Sequence, residues 1–240
     1  MPSIEKSMPS AELVKVTNSF KNKVHLCAAT GRSWQKAKDI ILALGLTDPC
    51  IVSGGAVIVE PIKQEILWQE IINQDSLGQI LKAIKKYDYR VVYATGLTTS
   101  VKQPNEITVL PAETNTVYIM NVDEDKADQV LNDLSGINYI TITKAISWAL
   151  KNGIDIHITN AKATKEHAVI ELCRILSVNP VDTVGVGDGF NDVHLFNSVG
   201  HKVAMGNAVP ELKELADEVI DTIDNDGLAK FIESSIKPRA

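Results

Sequence analysis

The sequence is short of cysteine, aromatic residues and long apolar runs, and each shortage closes off a class of protein. Only three cysteines occur in 240 residues, Cys27, Cys50 and Cys173. They are scattered, odd in number and set in apolar stretches, so reduced thiols are expected rather than a disulfide framework. No C-x-x-C pair is present, which weakens zinc and dithiol-redox readings. The longest apolar run near the front, residues 40–46, is far too short to span a bilayer. No apolar signal-peptide core opens the chain, and the cytoplasm is the expected compartment. Basic residues are also in deficit: 24 Lys and Arg face 30 Asp and Glu, for a net charge of −6. Without a basic run or basic–aromatic interleaving, neither nucleic acid nor a membrane is an expected partner. An anionic small molecule stays compatible if a cation, a Lys or an Arg supplies local positive charge.

What is present is an ordinary globular composition, 45% apolar and 22% charged. Helical and strand patterns alternate through most of the chain, which predicts an α/β fold. Residues 11–22 have helical spacing, 24–30 (VHLCAAT) form an apolar run of buried-strand length, and 33–45 are helical with Gly45 as a stop. Residues 49–61 read as a strand, a Gly-Gly turn and a second strand. The later part repeats the pattern: a helix at 165–178, a buried strand at 181–188, a short helix after Asn191, a strand at 202–206, and a helix opened by Pro210. A strand at 218–223 and a closing helix from Gly227 complete it. Between them, strands alternate polar with apolar residues, as in an antiparallel sheet with one solvated face. The expected organisation is therefore a discontinuous core, 1–60 and 160–240, interrupted by an inserted α+β unit, 61–159. Within that unit, 95–114 reads as a flexible segment.

Three short stretches carry chemistry. In "GDGFND" (187–192) a buried strand ends at Asp188, and ligands of open α/β sheets bind beyond strand carboxyl ends. Asp188 and Asp192 repel unless a cation lies near, and Mg²⁺ suits hard oxygen ligands supplemented by water and phosphate. The same residues also serve as ordinary turn and N-cap formers. In "AATGR" (28–32), Thr30, Gly31 and Arg32 set a hydroxyl, free N–H groups and a guanidinium at one strand end, an oxyanion cradle or a simple helix cap. Lys165 stands in the first turn of a helix, where the dipole disfavours a cation. Taken alone it reads as a surface lysine, with Lys162 as its solvated neighbour.

The order of these stretches around an inserted unit resembles the haloacid dehalogenase (HAD) superfamily, and more narrowly the Cof-type phosphatases with a subclass IIB cap. "SGGAVI" (53–58) and the stretch 203–233 extend the resemblance over nearly the whole chain. It implies a Rossmann-like three-layer core, a cap, a Mg²⁺ cofactor and hydrolysis of a small phosphorylated metabolite, a sugar phosphate among the options. It also implies roles. Thr30, with Gly31 and Arg32, would hold the phosphate, Lys165 would hold phosphate and attacking carboxylate together, and Asn191 would assist. Asp188 would bind Mg²⁺ with Asp192 supporting or ligating, and Asn207 would border the site. The family's nucleophile lies in an Asp-x-Asp-Gly-Thr motif ending the first strand. Here no Asp precedes Asp39, and Glu5 and Glu12 lack the strand and Gly-Thr context. This chain is therefore expected to be an incomplete, inactive phosphatase. The alternatives are a non-catalytic binder of a phosphorylated metabolite or a phosphomutase of the same fold. Oligomeric state is not legible.

Overall fold

The computed structural model describes residues 8–146 and 153–235. Glu5 and the sequence-based expectations about the front of the chain lie outside the described residues.

Helix α1 (Ala11–Phe20) opens on Ser10, whose hydroxyl accepts the Leu13 N–H at 3.1 Å and caps the first turn. Leu13, Val16 and Phe20 recur at helical spacing and pack against α8 (Gly227–Ser235) through Ala229 and Ile232. Helix α2 (Trp34–Ala43) buries Trp34, Ala37 and Ile41 and stops before Gly45, which takes the left-handed conformation, φ +68°. Strands β1 (Cys50–Val52) and β2 (Val57–Glu60) form the antiparallel pair expected around the Gly-Gly turn. Strand β3 (Glu65–Gln69) extends that sheet by pairing with β2, although the sequence reading assigned it to the inserted unit.

The inserted unit has its own sheet and core. Helix α3 (Gln74–Ile84) precedes β4 (Val91–Thr95), β5 (Thr98–Lys102) and β6 (Thr114–Asp123). Helix α4 (Glu124–Ser135), β7 (Ile140–Ile146) and β8 (Gly153–Asn160) follow. The sheet order is β5-β4-β6-β8-β7, antiparallel throughout. Val91, Ile119 and Ile156 face α3 and α4 in a buried apolar layer. The opposite face presents a cross-sheet row in register, Val92–Tyr118–His157–Thr143. The segment expected to be flexible contains β5. Its polar residues (TTSVK) hide an edge strand whose hairpin turn is set by Gly96 at φ +55°.

The chain returns to the core with α5 (Lys165–Leu176), capped by the Thr164 hydroxyl, and β9 (Val184–Gly187). Short helix α6 (Val193–Phe196), β10 (His201–Ala204), α7 (Pro210–Leu215) and β11 (Glu218–Val219) precede α8. Strands β9, β10 and β11 are parallel, with β9 at one edge. The expected strand at 24–30 is reduced to one parallel bridge, Ala29 to Ile51. The run is extended and apolar, but a ladder forms only where a neighbour supplies complementary groups. Among the described residues its far side has none. Strand β11 is likewise shorter than the apolar pattern at 218–223 implies: Glu218 and Val219 pair in register with β10, and the contact ends with the Ile220 N–H donating to Ala204 O.

Candidate active site

The cleft lies where residues 24–30 and β9 end and α5 begins, beneath the inserted sheet. Thr30, Gly31, Arg32, Lys165, Asp188 and Asn191 line one continuous cavity. Tertiary structure has thus brought together three stretches far apart in sequence, as the motif order predicts.

Each is held by identifiable contacts. The Arg32 N–H donates to Thr30 Oγ1 at 3.2 Å, and Gly54 N–H donates to the Thr30 carbonyl at 3.1 Å, so the 30–32 turn is preformed. Lys165 is 3% exposed and Asp192 only 1%. The Lys165 ammonium donates to Asp192 Oδ1 at 2.5 Å. The second oxygen of Asp192 accepts the N–H groups of Asp188 and Gly189 at 2.9 and 3.0 Å. Asp192 is therefore fully engaged within the protein. It braces the turn and neutralises the lysine, while Asp188 is the carboxylate of the pair that lines the cleft. Burial pushes the Asp188 carboxyl above its ordinary range, the charge of Asp192 adds to this, and Lys165 opposes it. A carboxylate so placed gains from an added cation.

Two glycines allow this crowding. A Cβ on Gly187 would sit 2.5 Å from Asp192 Cβ, so the strand end must be bare for the aspartate to fold back over it. Gly55 has φ +112°, and a Cβ there would fall 2.4 Å from the Thr164 carbonyl carbon. Its absence lets the start of α5 close on the β1–β2 turn and carries Lys165 inward. Asn191 is exposed on the rim, with its amide about 3.5 Å from where a Cβ of Gly31 would lie. Asn207 borders the cavity, but its side-chain oxygen accepts the Ile223 N–H at 2.9 Å and so ties down the following loop.

Sequence reasoning missed the inserted sheet's contribution. The Tyr118 hydroxyl donates to the Gly31 carbonyl at 3.2 Å, fastening the sheet to the 30–32 turn. His157 meets the Tyr118 ring edge-on, centroids 4.5 Å apart. Burial lowers the His157 pKa to about 4 and raises that of Tyr118 to about 12, so both are neutral at physiological pH. Alternation along β6 and β8 was the available signal; it places both side chains opposite the apolar layer, but not over a particular loop.

An α/β core with an inserted α+β unit, and a hydroxyl, an ammonium and a carboxylate at one sheet rim, define a class of phosphate-handling protein. The chain belongs to the haloacid dehalogenase-like hydrolase family, whose profile matches residues 5–232. The phosphoglycolate phosphatase of Sulfurisphaera tokodaii is 30% identical over 227 residues, spanning 92% of this chain and 83% of that protein. Phosphatase YwpJ of Bacillus subtilis is 24% identical over 250 residues, spanning 87% of each. Among solved structures, a haloacid dehalogenase-like hydrolase from B. subtilis superposes with a TM-score of 0.79 at 20% identity, covering 95% of this chain and 93% of that one. The HAD subclass IIB sugar phosphatase BT4131 gives 0.77 at 21% identity, covering 97% and 94%. The family resemblance and the fold class read from the sequence are thus borne out. Among the described residues no helix is long and apolar enough to cross a membrane.

Proposed function

We propose that the cleft is a Mg²⁺-dependent site for the phosphoryl group of a small phosphorylated metabolite, with the phosphoric monoester hydrolases as its lineage. The observation that carries this reading is the single cleft shared by Thr30, Lys165 and Asp188. The Thr30 hydroxyl and the 30–32 turn hold the phosphate oxygens, and Lys165 supplies positive charge beside them. Asn191 adds a neutral donor at the rim. The inserted unit from α3 to β8, residues 74–160, acts as the cap that closes over the substrate and excludes water.

The donor set fits Mg²⁺. Asp188 offers oxygens from a half-buried carboxylate, and Asp192 supports the turn that aims it. Mg²⁺ commonly takes only one or two protein carboxylates, the rest being water and phosphate oxygens. Bound there, the ion would neutralise phosphate charge.

Attack on phosphorus needs a further carboxylate beside Thr30, and Asp192 is unsuited because both its oxygens are occupied. We read the described residues as binding the phosphorylated metabolite without turnover of their own. Calorimetric titration with a sugar phosphate should give Mg²⁺-dependent binding that Asp188→Asn abolishes. Hydrolysis of p-nitrophenyl phosphate should stay at background; turnover sensitive to Asp188→Ala would refute the inactive reading and demand a nucleophile. Interconversion of sugar phosphate isomers without phosphate release would mark a phosphomutase instead.

A further inference from the structure

We infer that His157 determines specificity, and that the organic part of the phosphorylated metabolite is a neutral polyol with a hydroxyl near the phosphoester that the His157 imidazole hydrogen-bonds. The inference rests on the phosphate site proposed above and names what lies beside it.

His157 stands over the phosphate turn. Its Cε1 lies 3.8 Å from where a Cβ of Gly31 would be, and Asn191 Nδ2 lies 3.5 Å from the same point. Because Gly31 is bare, a ligand has room between the ring and the turn. The ring is held from its flank. Tyr118 meets it edge-on, and the Tyr118 hydroxyl is itself anchored on the Gly31 carbonyl. The ring nitrogens, by contrast, are uncommitted. Among the described residues no hydrogen bond or ion pair engages them. Nor are they sealed away, since His157 lines the cavity. Polar groups withdrawn from bulk water are ordinarily partnered. An uncommitted imidazole beside the phosphoryl position therefore points to a ligand.

The surroundings of the ring select the kind of ligand. Burial holds the imidazole neutral, so one nitrogen donates and the other accepts. Two charges act on it in opposite senses, Lys36 from the first turn of α2 and Asp155 from β8. Both border the cavity. Asp155 is fixed there by the Asn121 N–H, which donates to its Oδ1 at 2.9 Å. The two charges offset each other, so the subsite favours neither an anion nor a cation. Thr143, the register neighbour of His157, adds a hydroxyl, and Val92 and Phe190 add apolar surface. A polyol matches this set. Its hydroxyls both donate and accept, and its C–H groups meet the apolar side chains. A carboxylate only accepts and is opposed by Asp155; an ammonium only donates and is opposed by Lys36.

The test is calorimetric titration of the full chain, with Mg²⁺ present, by inorganic phosphate, n-propyl phosphate, glycerol 3-phosphate and 3-phosphoglycerate. Glycerol 3-phosphate is the propyl ester with hydroxyls added, and 3-phosphoglycerate replaces its terminal hydroxymethyl by a carboxylate. Glycerol 3-phosphate should bind at least about fivefold more tightly than n-propyl phosphate. His157→Phe keeps an aromatic ring but removes its nitrogens, and should bring that ratio to within about twofold of one. His157→Gln still donates and accepts, and should retain most of the preference. A wild-type ratio near one overturns the inference but leaves the phosphate site standing. So does a ratio unchanged in His157→Phe, an equal loss in both variants, or tighter binding of 3-phosphoglycerate than of glycerol 3-phosphate. If neither inorganic phosphate nor n-propyl phosphate binds, the phosphate reading falls and this inference falls with it.

Discussion

The pairing of Lys165 with Asp192 illustrates how one contact can serve both stability and site geometry. Both charges are almost wholly buried, so each depends on the other and on the backbone N–H groups around Asp192. Removing one partner strands the other. Lys165→Met or Asp192→Asn is expected to cost about 3–5 kcal/mol in urea unfolding, and Lys165→Met with Asp192→Leu should recover most of that loss. An additive double variant would show that the ammonium and carboxylate do not compensate each other. Asp188 behaves in the opposite sense. Its folded pKa is raised, so its burial favours folding at low pH and becomes a liability as pH rises through the folded value. Asp188→Asn should therefore raise the melting temperature at neutral pH. Mg²⁺ should raise that of the wild type and leave the variant unmoved; an equal Mg²⁺ response in both would place the ion elsewhere.

At the level of elements, strand alternation sets what the inserted sheet shows to the core. Val91, Ile119 and Ile156 go to the helices, and their register neighbours Val92, Tyr118 and His157 go to the cleft. His157 is held neutral there, its pKa lowered by burial to about 4 from an ordinary value of 6.5. Because the folded value is depressed, the unfolded chain takes up the proton first. Stability is full above pH 6.5 and falls as pH drops towards 4, by about 3 kcal/mol in all. The difference in unfolding free energy between wild type and His157→Gln should change across that window and be flat above it. A constant difference would mean that the imidazole titrates normally.

Across the whole molecule, polar contacts join the inserted sheet to the core. The Tyr118 hydroxyl holds Gly31, and Gln35 of α2 accepts from the Thr99 N–H at 3.1 Å and from its hydroxyl. These bonds are compatible with the cap motion proposed above. Tyr118→Phe with Gln35→Ala should cost little global stability, about 1–2 kcal/mol, yet enlarge the radius of gyration in solution scattering. An unchanged radius would assign closure to apolar contact instead.

Local pattern was enough for most helices, because spacing, caps and stops are written in neighbouring residues: Ser10 before α1, Gly45 after α2, Pro210 at the start of α7. It also marked Thr30, Lys165 and Asp188 by motif order. It did not reveal β5, whose polar residues match an edge strand only once β4 lies beside it. Nor could it show that Asp192 turns inward to Lys165 while Asp188 faces the cleft, since the two differ by the fold of one turn over Gly187. The extent of strand in 24–30 was likewise decided by tertiary structure. A helix satisfies its own backbone, but a strand requires a neighbour, and whether one is present is not written in the strand itself.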